Sequence, residues 1–595
     1  MLRWLTLCAF LLISLPSLAS ERVPGERWLR YADPAQAGFD AAELAEAEAR
    51  WRQLPSSALM VIADGAVVAA WGQTQRRFMC HSVRKSFLSA LFGIYWDQGR
   101  VDLNKNLADL GIDEEGDGLL EREKLARTLD LLKARSGVFH PAAYAGRTDS
   151  QPRGSQGPGR YFAYNNWDFN TLAAILEKET GDTVFKAFDE HFARPLGMED
   201  WRISDGYFHY ELDKSVYPAY PFRLSARDAA RFGLLFAREG MWGDQRILSR
   251  HWVRRSTALY SIDSEQFGYG FMWWVAREPR FADHGFVAAL GVGNQMIAVL
   301  PDSDLVIVNR ADTYRGEGTP MDDLLDLIEQ ILQARTGGVA ASPRLEPLEE
   351  AAAESPAPLA DAASRKLLEE LVGEWPYPPP SLGLPRRTTV TLTREGDHLI
   401  SHSSVSGTFR QELQADGWLL EEDSRERYLP LRDEVGAIEG IADVEAIAAA
   451  AIFRAADGEK KAARGLLGLV AEDRSLPVRL SRSLTALLSG RRKAEDEARR
   501  IVEEASQPRR LGGMINGTGY RLLRSGREAQ AQKIFELNTR LFPEVANAWD
   551  SLGEALMVQG KTAEAIRHYK RSLELDPDNA NAEAMIRKMQ EEAAS

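Results

Sequence analysis

The rhythm of apolar and polar positions changes several times along this chain. Leu59-Met60-Val61-Ile62 and Ala66-Val67-Val68-Ala69-Ala70-Trp71 are unbroken apolar runs on either side of Asp64-Gly65. That pattern predicts two strands joined by a tight turn. Phe87, Leu88, Ala90, Leu91, Phe92 and Ile94 then recur at helical spacing. Helix-period segments dominate to about residue 258. Two more apolar runs, Gln295 to Leu300 and Leu305 to Asn309, flank the turn Pro301-Asp302-Ser303-Asp304. A helix from Met321 to Ala334 follows. Strands at both ends with helices between predict an α+β domain over residues 20–335, its one antiparallel sheet built from both termini.

Residues 336–365 change character. Ala, Pro, Glu and Ser prevail, as in Glu354-Ser355-Pro356-Ala357-Pro358, and the stretch reads as a linker. Residues 366–440 show short alternating runs such as Thr388-Thr389-Val390-Thr391-Leu392, with turn pairs Gly396-Asp397 and Asp416-Gly417. These predict a small β domain. Residues 441–595 are helical, and their end repeats itself. Ile515, Gly519, Leu522, Gly526, Ala531, Phe535 and Pro543 recur 34 residues later as Trp549, Gly553, Leu556, Gly560, Ala565, Tyr569 and Pro577. That period, with small residues where helices pack closely, resembles the tetratricopeptide repeat over about residues 511–595. Two repeats bury little surface, so the helices from 441 to 506 are expected to stack beneath them, with a cap at 579–591. Such an array either offers a concave surface to a peptide or partner helix or serves as a stabilising appendage.

Composition narrows the setting. The chain has 595 residues, 44% hydrophobic and 27% charged, as in globular protein, and length alone suggests several domains. Its net charge of −14 and the lack of a basic stripe argue against a nucleic-acid partner. The first nineteen residues have the form of a secretory signal: Arg3, an apolar core from Trp4 to Leu15, and the small-x-small site Ser17-Leu18-Ala19. Cys8 lies inside that core, so a chain cleaved there keeps Cys80 alone and forms no internal disulfide. A large exported protein without disulfides points to a periplasmic or secreted location. An uncleaved anchor is the alternative. Cys80 itself reads as a small core residue rather than a second nucleophile.

The chemistry centres on Ser82-Val83-Arg84-Lys85, just before the apolar helical run. If Ser82 opens that helix, Lys85 lies one turn on along the same face. Unpaired N–H groups at a helix start can face a developing oxyanion. A lysine of lowered pKa can take the hydroxyl proton. A motif with two fixed positions also arises by chance, so its neighbours decide.

Those neighbours are Tyr164-Asn165-Asn166, Leu131-Leu132 with Ser136-Gly137, Pro195-Leu196-Gly197-Met198, Leu224-Ser225-Ala226-Arg227-Asp228 and Tyr269-Gly270-Phe271-Met272-Trp273-Trp274. In order and spacing, residues 30–335 resemble the serine β-lactamase-related hydrolases of the class C, penicillin-binding-protein-like type. The resemblance implies a β-lactamase/transpeptidase-like fold, with Ser82 as the acylated nucleophile. It implies Lys85 and Tyr164 as the proton shuttle, the Lys85 ammonium favouring the tyrosine phenolate. Asn166 would bond Lys85 or the substrate amide. The third motif departs from the Lys-Thr-Gly of β-lactamases and D-alanyl-D-alanine peptidases. Ala289-Leu290-Gly291 stands there, with Gly291 and Val292 beside the substrate and the Val292 N–H as oxyanion donor. The missing basic residue counts against β-lactamase or peptidase activity and favours ester or amide hydrolysis. His284-Gly285 is a rival alignment, and a catalytically silent scaffold working through its repeats is the remaining alternative. The nine histidines show no metal-ligand spacing and no phosphate loop appears, so neither metal nor cofactor is expected.

Overall fold

The computed structural model describes residues 22–145, 151–349 and 362–594, apart from 385, 387, 404–406, 415, 434, 506 and 507. The signal-like leader and the Pro-rich part of the expected linker at 350–361 lie outside the described residues.

The first domain is organised on a ten-stranded sheet. Its strands in chain order are β1 (Leu29–Tyr31), β2 (Ala58–Ala63), β3 (Ala66–Gly72), β6 (Ser261–Ile262), β7 (Phe267–Tyr269), β8 (Trp274–Ala276), β9 (Val287–Gly291), β10 (Gln295–Leu300), β11 (Leu305–Arg310) and β12 (Leu345–Pro347). The spatial order is β12-β1-β3-β2-β11-β10-β9-β8-β7-β6. The β2–β3 turn places Asp64 at φ 44° and Gly65 at φ 69°, as two left-handed residues in a tight hairpin require. The sheet is antiparallel except for one parallel pairing, Arg30 opposite Val67. Strands from both ends of the domain meet where β2 pairs with β11, from Ala58 opposite Arg310 to Ala63 opposite Leu305.

The continuous apolar runs reflect a sheet covered on both faces. Along β2, Leu59, Val61 and Ala63 join a core with α1 (Ala41–Trp51) and α5 (Met321–Gln333). Ala58, Met60 and Ile62 point the other way, into a core with α2 (Arg84–Asp97), α3 (Asn166–Thr180) and α4 (Ala226–Ala237). Helix α2 is buried from Arg84 to Tyr95 without a solvent face. A two-stranded ribbon, β4 (Phe78–Met79) with β5 (Arg223–Leu224), leads the chain into it.

One boundary differs from the sequence reading. Residues 345–347, expected to be linker, form edge strand β12 paired with β1, and residues 362–371 already form helix α6 (Ala362–Leu371) of the next domain. The prolines at 343 and 347 hid the strand, but proline is tolerated at a sheet edge. The second domain is an antiparallel meander of seven strands, β13 (Gly373–Tyr377), β14 (Thr388–Glu395), β15 (His398–Ser403), β16 (Gly407–Leu413), β17 (Leu419–Glu421), β18 (Arg427–Arg432) and β19 (Ile438–Asp443). Its first and last strands lie against each other, so the sheet curls towards a barrel around Leu392, Leu399, Leu413 and Leu419.

The third part is helical. Helices Val444–Ala456, Lys460–Leu469, Leu476–Leu488 and Ala494–Glu503 lead into the pairs Pro508–Arg524 with Glu528–Leu541 and Ala546–Val558 with Thr562–Leu575. Helix Ala580–Ala594 closes the array. The repeated glycines earn their place by close approach: a Cβ on Gly519 would stand 2.5 Å from the Phe535 ring. On Gly517, two residues earlier in the same helix, a Cβ would meet nothing within 4 Å. Gly519→Ala is therefore expected to destabilise the array by about 1–3 kcal/mol. Gly517→Ala should stabilise it by up to about 1 kcal/mol. Urea unfolding followed by far-ultraviolet circular dichroism measures both; equal effects of the two changes would contradict the packing described.

Candidate active site

Ser82 sits where ribbon becomes helix. The Cys80 N–H donates to the Phe222 carbonyl at 2.8 Å, continuing the β4–β5 pairing one step. His81 then turns left-handed at φ 48°, and His81–Val83 forms a single 3-10 turn that runs straight into α2. His81 is held on both ring nitrogens: Nε2 lies 2.8 Å from Thr313 Oγ1 and Nδ1 3.1 Å from the Tyr144 hydroxyl. Ser82 is half-buried in the middle of this turn.

Lys85 lies one helical turn on, and its side chain is 2% exposed. Its Nζ donates to Ser82 Oγ at 2.7 Å and to the Tyr164 hydroxyl at 2.7 Å. Tyr164 arrives from the segment before α3, where the Asn165 side chain caps the helix by accepting from the Asp168 N–H at 2.9 Å. Aromatic rings enclose the pair: Phe169, Trp274 and Tyr269 stand 4.9, 5.5 and 5.8 Å from the Tyr164 ring, centre to centre.

The end of β9 closes the other side. A Cβ on Gly291 would lie 2.4 Å from the Cys80 carbonyl oxygen and 3.1 Å from the Ser82 nitrogen, so only glycine lets the strand come this near. Val292 follows immediately and opens the turn Val292–Asn294, which is pinned where Asn294 Nδ2 donates to the Thr319 carbonyl at 2.7 Å. His284 and Gly285 lie beyond the opposite end of β9, with His284 bonded to Ser303, so Gly291 is the glycine that meets the serine.

Residues 42–323 match the family model "Beta-lactamase", and residues 546–579 match "Tetratricopeptide repeat". Residues 42–323 form a beta-lactamase-family domain. Among solved structures the chain is similar to a putative 6-aminohexanoate-dimer hydrolase from Bacillus anthracis, at 17% identity over 52% of this chain and 90% of that one, with a TM-score of 0.37. It is similar to the D-alanine carboxypeptidase AmpC from Burkholderia cenocepacia at 16% identity over 50% of this chain and 100% of that one, TM-score 0.37. An octameric penicillin-binding protein homologue from Pyrococcus abyssi matches at 14% identity over 66% and 95%, TM-score 0.36.

Two site expectations meet a different arrangement in this beta-lactamase-family domain. Asn166 does not reach Lys85; its Nδ2 donates to the Tyr144 carbonyl at 2.7 Å, and its Oδ1 has no partner among the described residues. The helix that begins at Asn166 turns its side chain towards the Tyr144 loop instead. The charge assignment also changes. Burial, reinforced by the neighbouring Arg84 cation, holds the Lys85 amine well below the usual lysine range. Burial pushes the Tyr164 phenol up to about 12, against smaller opposing effects of the Ser82 hydroxyl and Arg84. Both shifts favour the neutral amine and phenol over the ammonium and phenolate, and no carboxylate among the described residues bonds Lys85 to oppose them.

Arg84 is the residue that the sequence reading passed over. It is 1% exposed, donates Nη1 to the His81 carbonyl at 3.0 Å, and lies between the rings of Tyr220 and Tyr144 at 4.9 and 5.2 Å. Its Nε and Nη2 have no partner among the described residues. The signal was present: a helix apolar on every face is buried on every face, so charged residues in its first turn are buried too. At the third motif, Ala289 is fully enclosed and offers no charge to the cleft.

A native Lys85 pKa below the unfolded value means that, between the two values, the unfolded chain binds more protons than the native one. Lys85 then opposes folding by about 1.4 kcal/mol per unit of depression, and the penalty fades as pH climbs towards about 10.4. Lys85→Met should abolish activity yet raise the unfolding midpoint at pH 7, with the gap to the native protein narrowing by pH 10. Scanning calorimetry at the two pH values checks this; a variant less stable at pH 7 would contradict a neutral, unpaired amine.

Proposed function

We propose that the protein is a serine hydrolase that cleaves an ester or amide through an acyl-enzyme on Ser82. The observation that carries this reading is the position of Lys85 Nζ, buried and 2.7 Å from both the Ser82 and Tyr164 oxygens. A neutral amine in hydrogen-bond contact with a serine hydroxyl is a general base in place. Ser82 Oγ attacks the carbonyl carbon and passes its proton to Lys85. The carbonyl oxygen becomes an oxyanion facing the Ser82 and Val292 N–H groups, a stabilisation typically worth about 2.7–4 kcal/mol per donor. Collapse expels the alkoxide or amine, which takes a proton from the Tyr164 hydroxyl. The Lys85 ammonium then returns its proton to Tyr164. Water, deprotonated by the same pair, releases the acid and restores Ser82.

The enclosed Ala289 shapes the substrate preference. An enzyme holding a substrate carboxylate needs a cation at the cleft, and a charge-assisted bond of that kind contributes about 1.5–3 kcal/mol. His284 is engaged with Ser303 at the far end of β9 and does not replace it. Neutral esters and amides therefore fit this site better than β-lactams or peptides ending in D-Ala-D-Ala. The signal-like leader supports export to the periplasm or beyond. The tetratricopeptide array supports recruitment of a protein partner.

A fluorophosphonate probe should label the protein, and Ser82→Ala should remove the label. On the same preparation, kcat/KM for short neutral p-nitrophenyl esters should exceed that for nitrocefin by about tenfold or more. Labelling that survives Ser82→Ala would overturn the nucleophile, and equal turnover of nitrocefin would overturn the preference for neutral substrates.

A further inference from the structure

The ribbon that delivers Ser82 is gripped from outside its own domain. Arg77 stands one residue before β4, and Arg223 opens β5, where it pairs with Met79. The two are 5% and 1% exposed, and both face the buried Asp205, at 3.2 and 3.5 Å. The rest of their surroundings comes from the β meander. Asp423 accepts from Arg77 Nε on Oδ1 and from Nη2 on Oδ2, both at 2.9 Å, in a bidentate pair. Glu422 lies 3.3 Å from the same guanidinium. The Arg223 guanidinium is 3.7 Å above the Phe409 ring and donates to the Thr408 carbonyl. Gly407 lies so close over Tyr207 that a Cβ there would be 2.7 Å from its ring.

A second path runs beside the first. Arg76 donates to the carbonyls of Asp423 and Ser424 at 2.5 and 3.1 Å and pairs with Asp312 at 2.9 Å. Thr313, the next residue, holds His81 Nε2. His81 is the left-handed residue just before the nucleophile, and Gly291 is packed against the same three-residue turn. The loop from Glu421 to Glu426 thus holds the start of the segment that carries Ser82 directly, through Arg76 and Arg77, and reaches its end at His81 through Asp312 and Thr313.

We propose that this loop of the β domain is a positioning element of the active site, with Asp423 acting through Arg77 and Arg76 to fix the turn that carries Ser82. The beta-lactamase-family domain holds every group of the proposed chemistry, yet the alignment of its nucleophile depends on a second domain. The proposal rests on Ser82 being the nucleophile. A displacement of about 1 Å at a reacting group costs up to about a hundredfold in rate. Substrate contacts, by contrast, come from the first domain, so binding is spared.

The test uses the full chain with Asp423→Ala, the near-isosteric Asp423→Asn, the rescue variant Asp423→Glu, and Asp397→Asn on an exposed turn of the same domain as control. Each is assayed for kcat and KM on a p-nitrophenyl ester, for the rate of fluorophosphonate labelling, and for the fraction of active sites by burst titration. Expected is a fall of tenfold or more in kcat and in labelling rate per titrated site for Asp423→Ala, smaller for Asp423→Asn. KM should stay within about twofold, and Asp423→Glu should recover part of the loss. The proposal is overturned if the rate per titrated site is unchanged in Asp423→Asn and Asp423→Ala, or if loss appears only as fewer active sites, since that is stability alone. Should Asp423→Ala not fold, Asp423→Asn decides by the same criterion. If the native protein is not labelled at Ser82, the nucleophile assignment fails instead, and the two failures are told apart on the same gel.

Discussion

An amine enclosed by aromatic rings, with no carboxylate bonded to it among the described residues, is the constraint around which this molecule is arranged. Lys85 has Ser82 and Tyr164 as its hydrogen-bond partners, and the nearest charge is the like charge of Arg84. Water would solvate an ammonium there; the rings of Tyr164 and Phe169, 4.6 and 4.8 Å from Nζ, do so only weakly. Burial and the neighbouring cation therefore favour the neutral amine, the form of lysine that can act as a base. The stability lost in burying it is what equips the site for chemistry, a trade seen wherever strained or desolvated groups collect at functional centres.

The scaffold supplies that environment through burial on all sides. Helix α2 has no solvent face because the central sheet, α3 and α4 surround it. Charged residues in its first turn are carried inside with it, Arg84 between two tyrosines and Lys85 against Ser82. The sheet then brings Gly291 against the turn at 80–82. Where the better-known members of this fold place a third-motif cation, this chain has an enclosed alanine.

Much of this was legible from residue order, and the parts that were not share a cause. The Asp64-Gly65 hairpin, the β10–β11 pair, the helix ending near Gln333 and the 34-residue repeat are local patterns, and each formed where its rhythm predicted. Ser82 and Lys85 are one turn apart, so their meeting is local as well. Tyr164 was placed only through family resemblance, being 79 positions from Lys85. Strand β12 escaped because its pairing with β1 joins residues some 316 positions apart and is flanked by prolines. The grip of Asp423 on Arg77 spans 346 positions, and no periodicity encodes it. Asn166 was assigned by motif, but the direction of a side chain at a helix start is decided by the loop it meets, here Tyr144.

The protonation state of Lys85 is the point on which the account stands, and the pH dependence of Ser82 acylation reads it most directly. The second-order rate of acylation by a neutral activated ester, followed from pH 5 to 11, should rise to a plateau with a midpoint well below the ordinary lysine value of about 10.4. It should hold that plateau to the alkaline end of the range, since the Tyr164 phenol keeps its proton until about 12. A midpoint at the ordinary lysine value would mean that Lys85 is a cation at neutral pH and that the base lies elsewhere.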